Sequence, residues 1–321
     1  MQTPLNDPAM RLEEAGCTSC GETAGTYIRS VRDHLYRVDP REFKLMRCAS
    51  CRMVYLSPRP VRADLALAYP PAYFWNGFDL KPARTWRDTA WNLWARQLVL
   101  RRVGFLRRAY PQASDLPVLD VGCGRGLFLR EWRRVTGVEA HGVDLQPENI
   151  RFLRENHPAI QAFHADFLEW DAPQERYGAV TMWHLLEHLP DSRAALRKAH
   201  ASLAPGGALI VGTQNYRSLS RYLQGSRWTL NDVPRHLSHY TEETLRRQLE
   251  SEGFAVERVW HWTEFFPTLG AHLFASRILD AERNVKPLTG LVCNVLLSPL
   301  EALAIAFKRG CTLTVAARRG D

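Results

Sequence analysis

Residues 116–126 read LPVLDVGCGRG, and the run LFLREW follows at residues 127–132. The apolar residues at 118–121 predict a buried parallel strand, the glycines a tight turn, and residues 127–132 the first turns of a helix. A strand, a glycine-rich turn and a helix in this order form the first unit of a nucleotide-binding α/β sheet. Glycine lets the backbone approach a ligand that a Cβ atom would exclude, and the helix N-terminus offers free N–H groups.

The spacing of the glycines separates this turn from a dinucleotide site. Gly122, Gly124 and Gly126 follow the pattern Gly-x-Gly-x-Gly, whereas dinucleotide sites use Gly-x-Gly-x-x-Gly. Asp120 stands two residues before the first glycine, where its carboxylate would repel a pyrophosphate. The same carboxylate suits a cationic ligand, so the sequence favours a positively charged cofactor over NAD.

Residues 118–126 resemble the first motif of class I S-adenosylmethionine-dependent methyltransferases, and the resemblance continues to about Val256 and to a last strand near residues 312–316. It implies an α/β fold, with a seven-stranded Rossmann-like methyltransferase sheet over residues 113–321. It also implies S-adenosylmethionine as the cofactor. The residues that we expect to bind it are Asp120, Gly122, Cys123, Gly124, Gly126, Asp144, Leu145, Asp166, Phe167, Met182 and Trp183.

Three of the later predicted strands end in residues suited to this cofactor. Asp144 ends the second strand, 22 residues beyond the first glycine of the turn, where such folds place the acid that binds both ribose hydroxyls. The resemblance implies that Asp166 contacts the adenine amino group and that Phe167 packs on the ring. A helix N-cap is the alternative role for Asp166. Met182 and Trp183 end the fourth strand, so we expect them at the methionine end of the cofactor.

Composition and charge restrict the partners and the compartment only loosely. The chain has 321 residues and a formal charge of +8, with a pI of about 9.3. These values permit nucleic acid, anionic lipid or phosphorylated partners without selecting one. The N-terminal sequence MQTPLND has no basic segment ahead of an apolar core, so we expect no signal peptide. Seven cysteines, an odd number, favour a cytoplasmic protein with reduced thiols.

Four of the cysteines form two Cys-x-x-Cys pairs with 27 residues between them, namely Cys17, Cys20, Cys48 and Cys51. Two such pairs can supply four thiolates to a structural zinc ion, and the intervening length suits a β-hairpin. Redox chemistry is the competing hypothesis. Gly21 follows the first pair, as a tight turn prefers, whereas Arg52 follows the second.

Residues 17–60 resemble a zinc ribbon that precedes the catalytic domain of many bacterial methyltransferases acting on sugars, glycolipids or secondary metabolites. The resemblance implies a structural zinc ribbon over residues 1–60. We expect this ribbon to have a core separate from that of the methyltransferase domain.

Residues 61–112 form a predicted helical lead-in to the sheet domain. From about residue 84 to residue 110 the pattern is helical, with tryptophans among many arginines. Such a helix can lie on an anionic membrane surface. We favour the alternative, in which the tryptophans pack on the sheet domain and the arginines face water.

The turn after the fourth strand carries three titratable residues on one helical face. His184, Glu187 and His188 fall at i, i+3 and i+4. Beside a methyl donor they can supply a general base or hold a divalent metal, or Glu187 and His188 can simply cap and orient a helix. Some quinone-ring O-methyltransferases of this fold, which the stretch resembles, bind a metal here through acidic groups and a histidine. His184 stands in place of the first carboxylate, which disfavours magnesium.

Residues 216–240 are rich in aromatic residues, arginine and histidine and have no helical or strand period, so they predict a lid over the substrate. The lid contributes His236 and His239, which join His184 and His188 as candidate catalytic bases. Residues 266–309 are predicted to form a helical insertion, one helix of which can dip into a membrane surface. Residues 311–317 are predicted to form the last strand.

The sequence therefore predicts S-adenosylmethionine-dependent methyl transfer to a small molecule such as a sugar, a glycolipid or other lipid-linked intermediate, or a secondary metabolite. The nucleophile would be an oxygen, carbon or nitrogen that attacks in line. An RNA methyltransferase using the basic helix and the ribbon is the alternative, but no aromatic RNA-stacking motif accompanies that helix. A third hypothesis is a non-catalytic cofactor-binding protein. The sequence defines no oligomeric state.

Overall fold

The protein is described by a computed structural model that covers residues 10–71, 73, 78–111, 116–263 and 299–320. The described strands, in chain order, are β1 (Leu12–Glu13), β2 (Gly25–Val31), β3 (Phe43–Cys48), β4 (Val54–Leu56), β5 (Arg59–Pro60), β6 (Val118–Val121), β7 (Ala140–Asp144), β8 (Gln161–His164), β9 (Tyr177–Trp183), β10 (Leu203–Gln214), β11 (Ser238–His239), β12 (Phe254–Trp262) and β13 (Thr312–Arg319). The labelled helices are α1 (Trp86–Ala109), α2 (Leu127–Thr136), α3 (Pro147–Asn156), α4 (Ser192–Ser202), α5 (Leu219–Gln224) and α6 (Glu242–Ser251).

The larger sheet has seven strands in the order β12-β13-β10-β9-β6-β7-β8. Strands β10, β9, β6, β7 and β8 are parallel, whereas β13 is antiparallel to both β10 and β12. Every residue of β6 and β9 is buried, as expected for parallel strands covered on both faces. The prediction of a seven-stranded α/β sheet is confirmed. The carboxyl ends of β6, β7 and β9 lie at one edge, which is where open α/β sheets bind ligands.

Helix α1 packs against α2 and β13, and Trp94 lies against the core of the sheet domain, but Trp86 is 72% exposed, so the favoured interpretation of residues 84–110 is confirmed only in part. It begins with a capping box, in which the Asp88 N–H donates to Thr85 Oγ1 and the Thr85 N–H donates to the Asp88 carboxylate. One arginine contradicts the expectation that the arginines face water. Arg102 is only 7% exposed, because it lies four residues from both Leu98 and Leu106 on the buried face of the helix.

The second sheet is antiparallel, with four strands in the order β11-β4-β3-β2. Strands β2 and β3 form the hairpin expected between the two cysteine pairs. Strand β11 comes from the predicted lid, residues 216–240, and pairs with β4. The lid therefore contains regular structure, α5 and β11, where its sequence shows no period. Its strand forms because β4 offers an open edge for pairing.

The cysteine-bearing segment shares a core with the larger sheet. Cys48 and Tyr55 belong to the same buried cluster as Leu119 and Val121 of β6. The expectation of separate cores is wrong, because residues of the cysteine-bearing segment and of the larger sheet belong to one buried cluster. A segment of this size has little apolar core of its own, and packing against the larger sheet adds to it.

Most of the predicted helical insertion, residues 266–309, lies outside the described residues, although residues 299–306 are helical. Within the part of the chain that is described, no helix combines the length and the apolar composition needed to cross a bilayer.

Candidate active site

A pocket opens at the carboxyl ends of β6, β7 and β9. It is lined by many of the predicted cofactor and catalytic residues, namely Asp120, Gly122, Cys123, Gly124, Asp144, Leu145, Trp183, His184 and His188. Residues from three separate strand ends therefore meet at one edge of the sheet. Their assignment to a cofactor stays a prediction, but the arrangement is the one that the assignment requires.

The backbone of the glycine turn is held against Asp144. Gly122 and Gly124 adopt φ values of +72° and +54°, in the left-handed region that favours glycine. The Gly124 N–H donates to Asp144 Oδ2 at 2.8 Å, and the Gln146 N–H donates to Oδ1 at 2.8 Å. The Asn149 amide adds a third donor at 3.2 Å. This network fixes the Asp144 carboxylate at the pocket wall, with further acceptor capacity on each oxygen.

Asp120 is buried at the base of the pocket, 3% exposed. The Thr181 hydroxyl donates to Asp120 Oδ1 at 2.6 Å. Burial nevertheless raises the pKa of Asp120 to about 7, with the Thr181 hydrogen bond acting in the opposite direction. The carboxyl group is therefore poised to ionise when a cation binds nearby.

Six predicted site residues lie outside the pocket lining, namely Gly126, Asp166, Phe167, Met182, His236 and His239. Gly126 caps α2 with a φ of +70°, and a Cβ atom there would stand 2.5 Å from Leu153 Cδ2. Phe167 and Met182 are buried in the core beneath the sheet edge. Asp166 accepts the Leu168 N–H at 2.9 Å and pairs with Arg62 at 2.7 Å. Their roles in binding the cofactor stay predictions.

The turn after β9 brings Glu187 and the histidines together. His184 adopts a φ of +51°, and its Nδ1 lies 3.2 Å from Glu187 Oε1. Glu187 is fully buried. Although burial favours its neutral form, the hydrogen bond from His184 and the neighbouring histidines lower its pKa to about 2. The hydrogen bond from His184 therefore favours the ionised form of Glu187, whereas its burial favours the neutral form.

The lid places His236 against this turn. The His188 and His236 rings lie 4.6 Å apart between centroids. His188 Nδ1 is 2.9 Å from the Tyr69 hydroxyl, and His236 Nδ1 is 3.0 Å from the Leu230 carbonyl oxygen. Burial lowers the pKa of His188 to about 3 and that of His236 to about 4. Both imidazoles are therefore neutral near pH 7, which leaves a nitrogen lone pair on each ring, but the low pKa values make them weak proton acceptors.

His239 is also buried, and burial lowers its pKa to about 3. Its ring lies 6.2 Å from that of His236 and 5.3 Å from that of Tyr216. Neither ring nitrogen has a hydrogen-bond partner within the described part of the chain. His239 does not line the pocket, so its role as a base stays a prediction.

Sequence reasoning missed several residues that line the pocket, namely Tyr69, Tyr73, Phe78, Arg102 and Asn149. The three aromatic residues come from the segment before α1, for which the sequence predicts only a helical lead-in to the sheet domain. Arg102 could have been found, because its four-residue spacing from Leu98 and Leu106 places it on the apolar face of α1. Its guanidinium lies 5.1 Å from the centre of the Trp183 ring, within cation–π range.

A buried ion-pair network ties the lid to the cysteine-bearing segment. Arg235 is fully buried and donates to Asp33 Oδ1 at 2.9 Å and to Asp232 Oδ1 at 2.8 Å. Its Nη1 donates to the Ala68 carbonyl oxygen at 2.9 Å. Because Arg235 precedes His236, this network also fixes the backbone that presents the histidine. Removing one partner of a buried pair costs about 3–5 kcal/mol.

The four predicted metal ligands, Cys17, Cys20, Cys48 and Cys51, offer sulfur atoms that all lie within 4.8 Å of one another. The Cys17–Cys51 and Cys20–Cys48 sulfur pairs are each 3.5 Å apart. Tetrahedral zinc with bonds of about 2.3 Å requires sulfur separations of about 3.8 Å, so the four thiols fit a zinc ion.

The two cysteine turns have the same backbone form. The Cys17 N–H donates to the Glu22 carbonyl oxygen and the Cys48 N–H to the Met53 carbonyl oxygen, both at 2.9 Å. The fourth residue after each first cysteine has a left-handed φ, +78° at Gly21 and +67° at Arg52. Arg52 thus adopts the conformation that glycine adopts in the first turn, at a cost in backbone strain.

Comparison with known proteins identifies the family. A family model described as a methyltransferase domain matches residues 93–259, more than half of the chain. The chain therefore belongs to this methyltransferase family. The prediction that it is a class I S-adenosylmethionine-dependent methyltransferase is confirmed. The match does not include residues 1–60, so the zinc ribbon stays a prediction.

Individual relatives are similar over part of their length. A ubiquinone biosynthesis O-methyltransferase from Bradyrhizobium sp. (strain ORS 278) is 32% identical over 128 residues, which are 38% of this chain and 50% of the relative. The protein of the same name from Xanthomonas axonopodis pv. citri (strain 306) is 30% identical over 184 residues, 53% of this chain and 77% of the relative. The chain spans about half the length of the first of these relatives.

A solved structure shows the same fold. Geranyl diphosphate C-methyltransferase from Streptomyces coelicolor A3(2), in complex with Mg²⁺, geranyl diphosphate and S-adenosyl-L-homocysteine, superposes with a TM-score of 0.50 and 16% identity. The likeness covers 76% of this chain and 88% of that protein. At this identity it shows a common fold alone.

Proposed function

We propose that the protein transfers the methyl group of S-adenosylmethionine to a hydroxyl oxygen of a small-molecule acceptor. The observation that carries the proposal is the pocket in which Asp120, Asp144 and the glycine turn meet His184 and His188. Two carboxylates suit a cofactor with a ribose diol and positive charges. The relatives named as ubiquinone biosynthesis O-methyltransferases support oxygen as the acceptor atom.

Each part of the pocket has a separate task in this proposal. Asp144 and the Gly124 backbone would hold the ribose, and Asp120 would balance the positive charge of the cofactor. The cofactor supplies an activated methyl group on a good leaving group, so the protein mainly aligns the acceptor and removes its proton. His188, which lines the pocket and has its Nδ1 2.9 Å from the Tyr69 hydroxyl, would take that proton, although its low pKa makes it a weak base near pH 7. His236 stands next to it and is the second candidate.

The aromatic lining favours an apolar or ring-bearing acceptor. Tyr69, Tyr73, Phe78 and Trp183 line the pocket together with His188. Aromatic side chains pack well on planar rings and on the apolar faces of sugars. The acceptor classes that we propose are therefore phenolic compounds, sugars or glycolipids, and other lipid-linked intermediates.

We also propose that the four cysteines hold a structural zinc ion. All four ligand positions of a tetrahedral ion would be protein thiolates, which leaves no open position for catalysis. Its task would be to hold β2, β3 and β4, and through β11 the lid. The cysteine-bearing segment would act on the reaction by positioning His236.

The test is a transfer assay with methyl-labelled S-adenosylmethionine and a panel of phenols, catechols, sugar nucleotides, lipid extracts and total RNA. We expect label in an O-methyl product from a small molecule or lipid, identified by mass spectrometry. Label found in RNA alone would replace the proposal with the nucleic-acid alternative. No transfer to any acceptor, despite cofactor binding, would favour the non-catalytic alternative.

Asp144→Ala should weaken S-adenosylmethionine binding at least about tenfold, because removing a charged hydrogen-bond acceptor costs roughly 1.5–3 kcal/mol. Isothermal calorimetry measures the effect directly. Glu148→Ala is the matched control, since this exposed carboxylate stands at the start of α3 and does not line the pocket. Equal affinity of the Asp144→Ala variant and the wild type would contradict the role of Asp144.

Cofactor affinity should increase as the pH rises from about 6 to about 8, since a cation favours the ionised form of Asp120, whose pKa is about 7. The stability of the free protein should respond in the opposite direction. The pKa of Asp120 in the folded protein lies above its ordinary value of 3.8. Protonated Asp120 therefore stabilises the fold fully at pH values below 3.8, and this stabilisation is lost as the pH rises through about 7. Asp120→Asn should remove both dependences. Identical pH profiles of affinity for this variant and the wild type would refute the prediction.

A further inference from the structure

We propose that the cysteine-bearing segment helps to select the methyl acceptor, because its hairpin loop, residues 32–42 between β2 and β3, positions two tyrosines of the pocket. This inference rests on the proposed methyl transfer. Asp33 and Tyr36 are the positioning residues of the loop, and neither lines the pocket, whereas Tyr69 and Tyr73 both do. All four residues lie outside the family match, which begins at residue 93.

The strand order separates two sides of the pocket. Strand β6 lies between β7 and β9, so the glycine turn after β6 has Asp144, at the end of β7, on one side and the β9 turn with His188 on the other. Tyr69 belongs to the β9 side, because its hydroxyl lies 2.9 Å from His188 Nδ1. In the proposed function Asp144 holds the cofactor ribose, so the β9 side is the one that receives the acceptor.

A chain of ring contacts leads from the hairpin loop to this side of the pocket. The ring centroids of Tyr36 and Tyr73 are 5.4 Å apart, and those of Tyr73 and Tyr69 are 5.1 Å apart in an edge-on arrangement. The Tyr69 ring lies 6.0 Å from that of His188. Aromatic pairs at these distances stabilise one relative orientation of their rings. Tyr36 therefore supports the pocket-lining tyrosines through Tyr73.

One buried guanidinium holds the loop against these rings. Arg235 Nη1 donates to Asp33 Oδ2 at 3.1 Å and Nη2 donates to Asp33 Oδ1 at 2.9 Å, which is a bidentate pair. The guanidinium lies 4.7 Å from the centre of the Tyr36 ring and 5.8 Å from that of the Tyr73 ring, within cation–π range. Its Nη1 also donates to the Ala68 carbonyl oxygen at 2.9 Å. The lid, the hairpin loop and the lead-in segment are thus fixed to one another at a single side chain.

Asp33 also determines the shape of the hairpin loop. Its Oδ1 accepts the Tyr36 N–H at 3.0 Å, and its Oδ2 accepts the Val38 N–H at 3.1 Å. Asparagine at this position keeps one oxygen but directs an NH₂ group at N–H donors. Asp33→Asn therefore breaks the link between the loop and Arg235 with little change in side-chain volume.

The test compares folded Asp33→Asn and Tyr36→Ala with the wild type, each as the zinc-loaded full chain. The KM for the acceptor found in the transfer assay should rise at least about threefold in both variants, since an aromatic pair is worth a factor of about 2–12 and a charged hydrogen bond more. The dissociation constant of S-adenosylhomocysteine, measured by calorimetry without acceptor, should stay within about twofold of the wild-type value.

Two further variants separate positioning from a general loss of structure. Tyr36→Phe keeps the ring and should retain the wild-type KM. Tyr27→Ala is the matched control, because Tyr27 lies on β2 of the same segment and is 57% exposed, so its KM should also be unchanged. Thermal unfolding and zinc content establish that each variant is folded. If Asp33→Asn does not fold, Tyr36→Ala decides, since Tyr36 is only half-buried.

Hydrogen–deuterium exchange measures the positioning without any acceptor. The backbone amides of residues 66–69 and 232–240 should exchange at least about tenfold faster in Asp33→Asn than in the wild type, and at the wild-type rate in Tyr27→Ala. Unchanged exchange in Asp33→Asn and Tyr36→Ala would overturn the inference, whether or not methyl transfer is found. A wild-type KM for both variants of an active enzyme would overturn it as well. Faster exchange in a chain that methylates no acceptor would support the positioning and count against the proposed function alone.

Discussion

Cys48→Ser is expected to lose the zinc ion and to destabilise the whole protein, including the seven-stranded sheet. Cys48 is fully buried in the cluster that also contains Leu119 and Val121 of β6. Structural zinc contributes about 10–16 kcal/mol to the folding of zinc-finger peptides, which is comparable to the total stability of a domain. A loss of even about 5 kcal/mol would lower the melting temperature of a cooperatively folding chain of 321 residues by about 7 °C.

Elemental analysis and thermal unfolding, followed by far-ultraviolet circular dichroism and by cofactor binding, measure both effects. Cys311→Ser is the control, because Cys311 is buried but lies outside the four-cysteine cluster. The zinc content of this variant should equal that of the wild type. Wild type purified without chelator and found to contain no zinc would contradict the account. A Cys48→Ser variant with normal cofactor binding and a normal melting temperature of the sheet would show instead that the cysteine-bearing segment and the sheet have separate cores.

Of His188→Ala and His236→Ala, the variant that removes the general base should lower the methyl-transfer rate by about 10²–10⁴-fold, the contribution of general base catalysis. Both imidazoles are buried beside Glu187, and His188 also lines the pocket. Cofactor affinity should change by less than about threefold, because the ribose and the charged groups are held elsewhere. The assay is the transfer rate at saturating cofactor, with affinity measured separately by calorimetry.

His184→Ala and His239→Ala complete the series of candidate bases. His200→Ala is the matched control, because His200 packs against Phe254 and does not line the pocket. Rates near that of the wild type in all four candidate variants would show that the enzyme acts by alignment alone.

The sheet could be predicted because each of its strands has a local signal. The expected end of the fourth strand at Met182 and Trp183 agrees with the structure, where β9 ends at Trp183, since an apolar run ends there at a polar turn. The glycine turn is a local signal of the same kind. It predicted where α2 begins and that Asp120 lies beside the pocket. Asp144 could be placed from its distance along the chain, because the first two strands of such sheets are adjacent.

The parts that failed depend on contacts between residues far apart in sequence. The hydroxyls of Thr18 and Ser238 lie 2.5 Å apart and join the cysteine-bearing segment to the lid, yet no local pattern encodes this pair. The same applies to the approach of His236 to Glu187, which requires the Leu237 N–H to donate to the Glu187 carbonyl oxygen at 2.8 Å. Sequence spacing grouped His184 with Glu187 and His188 but could not show that His236 completes the cluster.

The central claim is that the pocket between the glycine turn and the β9 turn binds S-adenosylmethionine, and calorimetry with S-adenosylhomocysteine and NAD tests it most directly. The full chain should bind one S-adenosylhomocysteine with a dissociation constant of about 1–100 μM, in the range of ordinary enzyme ligands, and should give no binding heat with NAD. Folded, zinc-containing protein that binds NAD equally well, or that binds no S-adenosylhomocysteine, would contradict the account.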